Sequence, residues 1–506
     1  MMRSPATTGS SQDFVRQLAD QAFARSAGAP LVGGNHVRLL FDSSDNFPAW
    51  EQALAAAEES IFIEMYAVAN DRFGKRIRQL LIDKALAGIK VCLLYDWLGS
   101  WKAHLGGFFR LLASAGAEIR AYNPPTLTGG LSLLGRNHRK LIIVDRRLAF
   151  ISGLCISSSW QGHPELGIAP WRDTGLSLSG PLVQEAITAF ADSWASCGMP
   201  LEKRWLAAMA EDEVPGHVAA RLIATTPSTA HIMRLDLLIA SFARHTLWLT
   251  DAYFIGTSTY LSALKQAALD GVDVRLLVPR TSDIPWIAPV SRTLYRPLLE
   301  SGVRVFEWNG PMIHAKTAVA DGRWARIGSS NLNISSWLAN REIDVAIEDD
   351  TLAAELAARF LQDLEQATEI VLSGDKRTPT LTRPRQPSLP PFTLPAAGHV
   401  ARSGASAAAR QAARIGDALG AVVSGTRPVE ASEAAAFLAI GLALLLLAVL
   451  AALFPWLVAA PLVFLLLLSG GAIVLKALGL YRRRNEKKQQ SAAVKNNRKP
   501  PLPPAG

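Results

Sequence analysis

The chain has 506 residues, 49% of them apolar, enough for two or three domains with real cores; this rules out a wholly disordered chain. Its net charge of +9 favours anionic partners such as lipid headgroups or nucleic acid. The three cysteines, Cys92, Cys155 and Cys197, form no Cys-x-x-Cys pair and no His/Cys cluster at ligand spacing, which argues against a disulfide framework or a zinc site and fits a reducing compartment.

Residues 1–35 are rich in Ser, Ala and Gly and read as a flexible start, too broken in apolar content for a secretory leader. Within them, 12–27 has the pattern of a short amphipathic helix. Residues 36–200 alternate between helix and strand periodicities. A helix at 47–59 is followed by the buried strand SIFIEMY (60–66), an amphipathic helix at 74–87 and the buried strand KVCLLY (90–95). A helix at 107–115, a strand at 118–122, a hairpin from 137 and a closing helix at 180–194 complete the unit. This rhythm predicts an α/β lobe with helices packed against a largely buried sheet.

Residues 201–230 are a less periodic connector, after which the pattern restarts and fills 231–373. LWLTDAYF (247–254) echoes the first buried strand, DVRLLVP (273–279) echoes the second, and LLESGVRV (298–305) echoes LLASAGAEI (111–119). One lobe is therefore present twice, which predicts a pseudo-two-fold axis with both hairpins meeting at a single cleft.

Residues 374–433 form a Pro/Ala-rich linker. No charged residue occurs from 434 to 475; one helix of that length would measure about 63 Å, roughly twice the hydrocarbon core of a bilayer. Pro455 and Pro461 near its middle predict a hairpin of two transmembrane helices within 434–480. Basic residues flank it on both sides, including Arg410 and Arg414 before it and Arg482, Arg483 and Arg484 after it, which favours both ends, and so the lobes, on the cytoplasmic side. The tail, 481–506, is basic and reads as disordered.

The chemistry concentrates in NHRKLIIVDRRLAFISGLCI (137–156) and its second copy, IHAKTAVADGRWARIGSSNLNI (313–334). Each carries His, Lys two residues on and Asp five after that: His138, Lys140, Asp145 and His314, Lys316, Asp321. Asp321-Gly322 is a strong hairpin-turn signal. With these two as the loop, Ala320 faces Arg323, Lys316 faces Ile327, and His314, Lys316, Ser329 and Asn331 share one face. A nucleophile, a fixed cation and hydrogen-bonding side chains on one surface suit phosphoryl transfer. No metal-ligand spacing or Gly-rich phosphate loop accompanies them, so the chemistry is expected to run on side chains without metal or cofactor. Asp145 and Asp321, at the bends, read as structural more than chemical.

The paired His-x-Lys-x4-Asp motifs resemble those of the phospholipase D superfamily, and from about residue 37 to 372 the chain is most similar to bacterial cardiolipin synthases of the shorter type. The resemblance implies two phospholipase D-like α/β lobes, a phosphohistidine intermediate, and anionic phospholipids such as phosphatidylglycerol as substrates at the bacterial inner membrane. It also implies a carboxylate orienting each histidine: Glu342 at the matching position of the second copy and Asp173 at that of the first. The first copy departs from the family pattern, with Ser152-Gly153-Leu154-Cys155 where relatives carry Gly-Gly-x-Asn; a thiol is a poorer donor than an amide. Competing readings are a hydrolase of the same superfamily, either a phospholipase D or a nuclease, and a non-enzymatic membrane scaffold. Two membrane spans disfavour nucleic acid as the substrate.

Overall fold

Fifteen strands join into one sheet among the described residues. In the first half they are β1 (Val32–Phe41), β2 (Ser60–Met65), β3 (Lys90–Asp96), β4 (Glu118–Tyr122), β5 (Lys140–Val144), β6 (Leu148–Ser152) and β7 (Thr174–Ser179). The second half supplies β8 (Val218–Thr225), β9 (Thr246–Thr250), β10 (Asp273–Pro279), β11 (Arg304–Trp308), β12 (Thr317–Ala320), β13 (Trp324–Gly328), β14 (Glu342–Glu348) and β15 (Ala367–Ile370). This computed structural model describes residues 10–125, 135–209 and 216–372, and Leu453 alone. The membrane spans expected at 434–480, the linker and the basic tail lie outside the described residues; within those residues no helix is long and apolar enough to cross a membrane.

The duplication is visible in the strand order. From the centre outward one half runs β1-β7-β6-β5-β2-β3-β4 and the other β8-β14-β13-β12-β9-β10-β11, with β15 added at the second edge. β2, β3 and β4 pair in parallel, as do β9, β10 and β11, because a helix crosses between successive strands. The two halves join where β1 and β8 pair antiparallel, Val32 opposite Ala220 and Asn35 opposite Val218. Asn35 is fully buried there: its amide donates to the Val32 carbonyl at 2.7 Å and its oxygen accepts from the Leu182 N–H at 2.8 Å.

Each half keeps an apolar core of its own. Phe47, Phe73, Ile77 and Phe108 pack on the first sheet, and Leu235, Tyr260, Leu264 and Leu298 on the second. A third core is common to both: Leu141, Ile143 and Ile151 of the first half cluster with Ile327, Ile343 and Val345 of the second, and helices Val183–Ala195 and Asp350–Glu365 contribute to it. Burial of this size makes the halves one folding unit.

Three expectations need correction. The helix expected at 12–27 forms, as Ser10–Ala27, but it is not part of a flexible start: its end docks on helix His231–Phe242, with Ala27 buried and the Phe23 and Phe242 rings edge to face at 5.7 Å. The connector at 201–230 contains β8, which pairs with β14 from Ala219 to Thr225; its run VAARLIAT is buried on both faces and so lacks the alternation of a half-exposed strand. Finally, Asp321 and Gly322 do form the hairpin turn, both at positive φ, with the Arg323 N–H donating to the Ala320 carbonyl at 3.1 Å. Arg323 is then left over as a bulge, so Ala320 faces Trp324 and Thr317 faces Ile327, one residue out of the expected register. The first hairpin does the same, Val144 facing Leu148. A one-residue slip reverses the faces on the returning strand, so Ser329 does not share the surface of His314 and Lys316.

Candidate active site

The two histidines are placed by backbone contacts between lobes. Asn137 forms a bridge with Arg341, and the His138 N–H donates to the Arg341 carbonyl at 2.9 Å. The mirror contact joins Arg172 to Ile313, with the His314 N–H donating to the Arg172 carbonyl at 2.7 Å. Each histidine is thereby tied to the residue that precedes the other lobe's carboxylate. The side chains follow. His138 Nδ1 lies 2.9 Å from Glu342 Oε2, and His314 Nδ1 lies 2.8 Å from Asp173 Oδ2. The expected carboxylates are therefore both in place, but crossed: Asp173 serves the second lobe's histidine and Glu342 the first lobe's.

Both carboxylates are fully buried and held by further donors. Glu342 accepts from the Ser329 hydroxyl at 2.6 Å and the Asn340 amide at 3.2 Å. Asp173 accepts from the Trp160 indole N–H at 2.8 Å and the Thr174 N–H at 2.8 Å. Ser329, expected to hold phosphate, thus spends its hydroxyl on Glu342. Burial alone would push both acids up, but the adjoining histidine and lysine outweigh it and hold them below the usual carboxylate range. An ionised carboxylate only accepts, which assigns the imidazole proton to Nδ1 and the lone pair to Nε2, with Lys316 Nζ also 2.9 Å from His314 Nδ1. Burial, with help from the neighbouring lysines, holds both imidazoles below the ordinary histidine value despite their carboxylates. At neutral pH each pair is a neutral imidazole on a carboxylate anion.

Lys140 and Lys316 lie beneath the histidines, each about 1% exposed. Lys140 Nζ donates to the His138 carbonyl at 2.6 Å and lies 5.1 Å from the Tyr66 ring. Lys316 donates to the His314 carbonyl and lies 5.6 Å from the Tyr253 ring. Burial pushes Lys316 down to about 8. The two tyrosine rings stand edge-on to the imidazoles, Tyr66 at 4.8 Å from His138 and Tyr253 at 5.6 Å from His314.

Both imidazoles open into one cavity of about 850 Å³, whose wall includes Tyr66, Trp160, Tyr253 and Asn331. The buried Asn331 Oδ1 has no partner among the described residues. Cys155, the counterpart of Asn331, also lines the wall, and burial pushes its thiol up, away from a thiolate. Beyond the polar centre the wall turns apolar, with Trp101, Ile284, Trp286, Ile287 and Ile334.

Of the ten residues singled out from sequence, eight converge here: His138, Lys140, Asp173, His314, Lys316, Ser329, Asn331 and Glu342. Asp145 and Asp321 stand apart at the hairpin bends. Asp145 accepts the N–H groups of Glu58, Glu59 and Ser60 at 2.7–2.9 Å, and Asp321 those of Arg244, His245 and Thr246 at 2.7–2.9 Å. Each pins its hairpin to the start of the neighbouring strand. Sequence reasoning missed Trp160, Tyr66 and Tyr253, which no motif marks, and two arginines. Buried Arg172 bonds Asp363 at 2.9 Å, and buried Arg139 donates to the Glu342 carbonyl at 3.0 Å. Arg172 was legible only as the middle residue of Trp171-Arg-Asp173.

Comparison with known proteins agrees with this geometry. Residues 50–174 and 238–364 each match the family model described as "Cardiolipin synthase, PLD-like domain". The chain is 33% identical to a cardiolipin synthase of Halalkalibacterium halodurans across 70% of this chain and 71% of that protein. It is 30% identical to cardiolipin synthase A of Pseudomonas fluorescens across 71% of this chain and 74% of the other. Among solved structures, phosphatidylserine synthase of Haemophilus influenzae superposes with a TM-score of 0.54 at 13% identity, covering 69% of this chain and 91% of that one, a likeness of fold. With its doubled lobe and its two histidines in one cavity, the chain belongs to the cardiolipin synthase family of phospholipase D-like enzymes.

Proposed function

We propose that the cavity transfers a phosphatidyl group from one phospholipid to phosphatidylglycerol, making cardiolipin through a phosphohistidine. The observation that carries this reading is the pair of carboxylate-backed imidazoles lining a single pocket. In the first step Nε2 of one histidine attacks phosphorus; an N–P bond forms, the P–O bond to the headgroup alcohol breaks, and the second histidine gives that oxygen a proton. For this step the second histidine must enter protonated. In the second step it takes the proton back from a hydroxyl of phosphatidylglycerol as that oxygen bonds to phosphorus and the N–P bond breaks. Lys140 and Lys316 supply positive potential beneath the equatorial oxygens, and Asn331 lines the same cavity with an NH2 able to donate to them.

The apolar outer wall suits acyl chains more than a nucleic-acid backbone. The uncharged stretch at 434–475, read as a transmembrane hairpin, would keep the cavity beside the headgroups of the cytoplasmic leaflet. The test is purified protein in phosphatidylglycerol vesicles. Cardiolipin and glycerol in equal amounts are expected; phosphatidic acid as sole product makes the protein a hydrolase, and cleavage of oligonucleotides makes it a nuclease.

A further inference from the structure

The two imidazole–carboxylate pairs each have a third member, and the two third members differ. Ser329 Oγ donates to Glu342 Oε2, the oxygen that lies 2.9 Å from His138 Nδ1. The position equivalent to Ser329 in the first lobe is Gly153. It has no donor to offer, and a Cβ there would stand 2.1 Å from Asp173 Oδ1, so a serine does not fit. The missing donor comes from seven residues further on. Trp160 Nε1 lies 2.8 Å from Asp173 Oδ2, the same oxygen that lies 2.8 Å from His314 Nδ1. The indole is 5% exposed and stands edge to face with His314, ring centres 5.3 Å apart. Its loop is anchored: the Ser43 hydroxyl donates to the Trp160 carbonyl at 2.9 Å, and the Ser158 hydroxyl accepts from the Phe73 N–H at 3.1 Å.

We propose that Trp160 is a positioning residue for His314, its indole N–H fixing Asp173 and moderating the pull of that carboxylate on the imidazole. A neutral donor on the shared oxygen draws off part of its negative charge. Without it Asp173 would bind the Nδ1 proton more tightly and stabilise the imidazolium, so His314 would gain a proton at higher pH. The charged groups facing His314 are Asp173, Lys316 and Lys140. Asp173 has Arg172 beside it, and its own N–H donates to Asp42 at 3.0 Å. All of these stay in place when only the indole nitrogen changes. Ser329 does the same for His138, so the two halves reach one result by different chemistry.

The test is a titration of both histidines in the full-length protein, following imidazole nitrogen shifts by NMR without substrate. Trp160→Phe removes the donor. Replacing Trp160 by β-(3-benzothienyl)alanine, with sulfur in place of N–H, removes it while keeping the bicyclic shape, and so covers the case in which phenylalanine packs poorly. Either change should raise the His314 midpoint by roughly half to one pH unit and leave His138 unmoved. Ser329→Ala should move His138 and leave His314. A His314 midpoint that stays put in the benzothienyl protein, or equal movement of both histidines, overturns the proposal. The rate measurement rests on the proposed transfer activity: whichever limb of its pH profile His314 sets should move upward in Trp160→Phe. Protein that shows the titration shift and makes no cardiolipin refutes the activity and leaves the role of Trp160 intact.

Discussion

Asp173, a residue of the first lobe, lies 2.8 Å from His314 of the second. The crossing follows from the backbone bridge between Arg172 and Ile313, and its mirror image ties Glu342 to His138. A carboxylate that fixes the imidazole tautomer is worth much of the rate. Asp173→Asn and Glu342→Gln should each lower kcat by about 10²–10⁴-fold with little change in KM. Wild-type kcat in either variant, measured on phosphatidylglycerol vesicles, would remove the oriented-imidazole model.

Both histidines act in every turnover of the proposed scheme. His138→Ala and His314→Ala should each lose at least about 10³-fold in cardiolipin formation. Radiolabelled phosphatidyl donor should leave acid-labile label on one histidine only, and the variant that fails to trap it identifies the attacking residue. Normal turnover in either alanine variant would contradict a shared site.

The pH profile has a sign on each side. Burial holds His138 and His314 below the ordinary histidine value, so the neutral form needed for attack persists as pH falls below 6.5, while the protonated form needed from the other histidine grows scarcer as pH rises above the lowered values, which should displace the optimum to the acid side of an ordinary histidine. On the alkaline side Lys316, pushed down to about 8 by burial, loses its charge as pH rises through that value. The rate of cardiolipin formation should therefore fall near pH 8, well below an ordinary lysine. Lys316→Arg, whose guanidinium stays charged, should lack that alkaline limb.

The bend aspartates are expected to matter for folding more than for chemistry. Asp321 accepts three backbone N–H groups, which outweigh partial burial and hold its acid below the usual range. Stability from it is present above the unfolded value and is lost as pH falls through the lowered folded one. Asp321→Ala should cost about 1–3 kcal/mol in denaturant unfolding while the folded fraction keeps kcat within about two-fold. A collapse of kcat at unchanged stability would place Asp321 in the chemistry.

What the sequence made legible was periodic or duplicated. The buried runs at β2, β3, β9 and β10 and the twin His-x-Lys motifs stood out on spacing, whereas the two carboxylates came only from the family resemblance. The hairpin register did not stand out, because the Asp-Gly signal reads as a two-residue loop, whereas Ala320 faces Trp324 and Arg323 is left over between them. The crossing of the carboxylates was hidden too: it is set by two isolated bridges between segments about 140 and 200 residues apart. Trp160 lies in an irregular loop where neither periodicity nor a motif could mark it. β8 was missed because a strand buried on both faces shows no alternation.

Gly153 tests how tightly the first half is built. Adding a Cβ there forces Asp173 to move, since the nearest carboxylate oxygen would be 2.1 Å away. Gly153→Ala should lower kcat by about 10–10²-fold, with Asp173→Asn adding little in the double variant because both changes act on the same pair. Full additivity would separate the glycine from the carboxylate.

The antiparallel seam between β1 and β8 makes one polypeptide the carrier of both half-sites. Mixing the two histidine-to-alanine proteins should therefore restore nothing, since neither can lend a working half to the other. The tandem arrangement also releases a constraint. In a symmetric homodimer each position is one gene read twice, so a serine on one side forces a serine on the other. Here Gly153 and Ser329, or Cys155 and Asn331, have drifted apart within a single gene, and each half is free to specialise in one step of a two-step exchange.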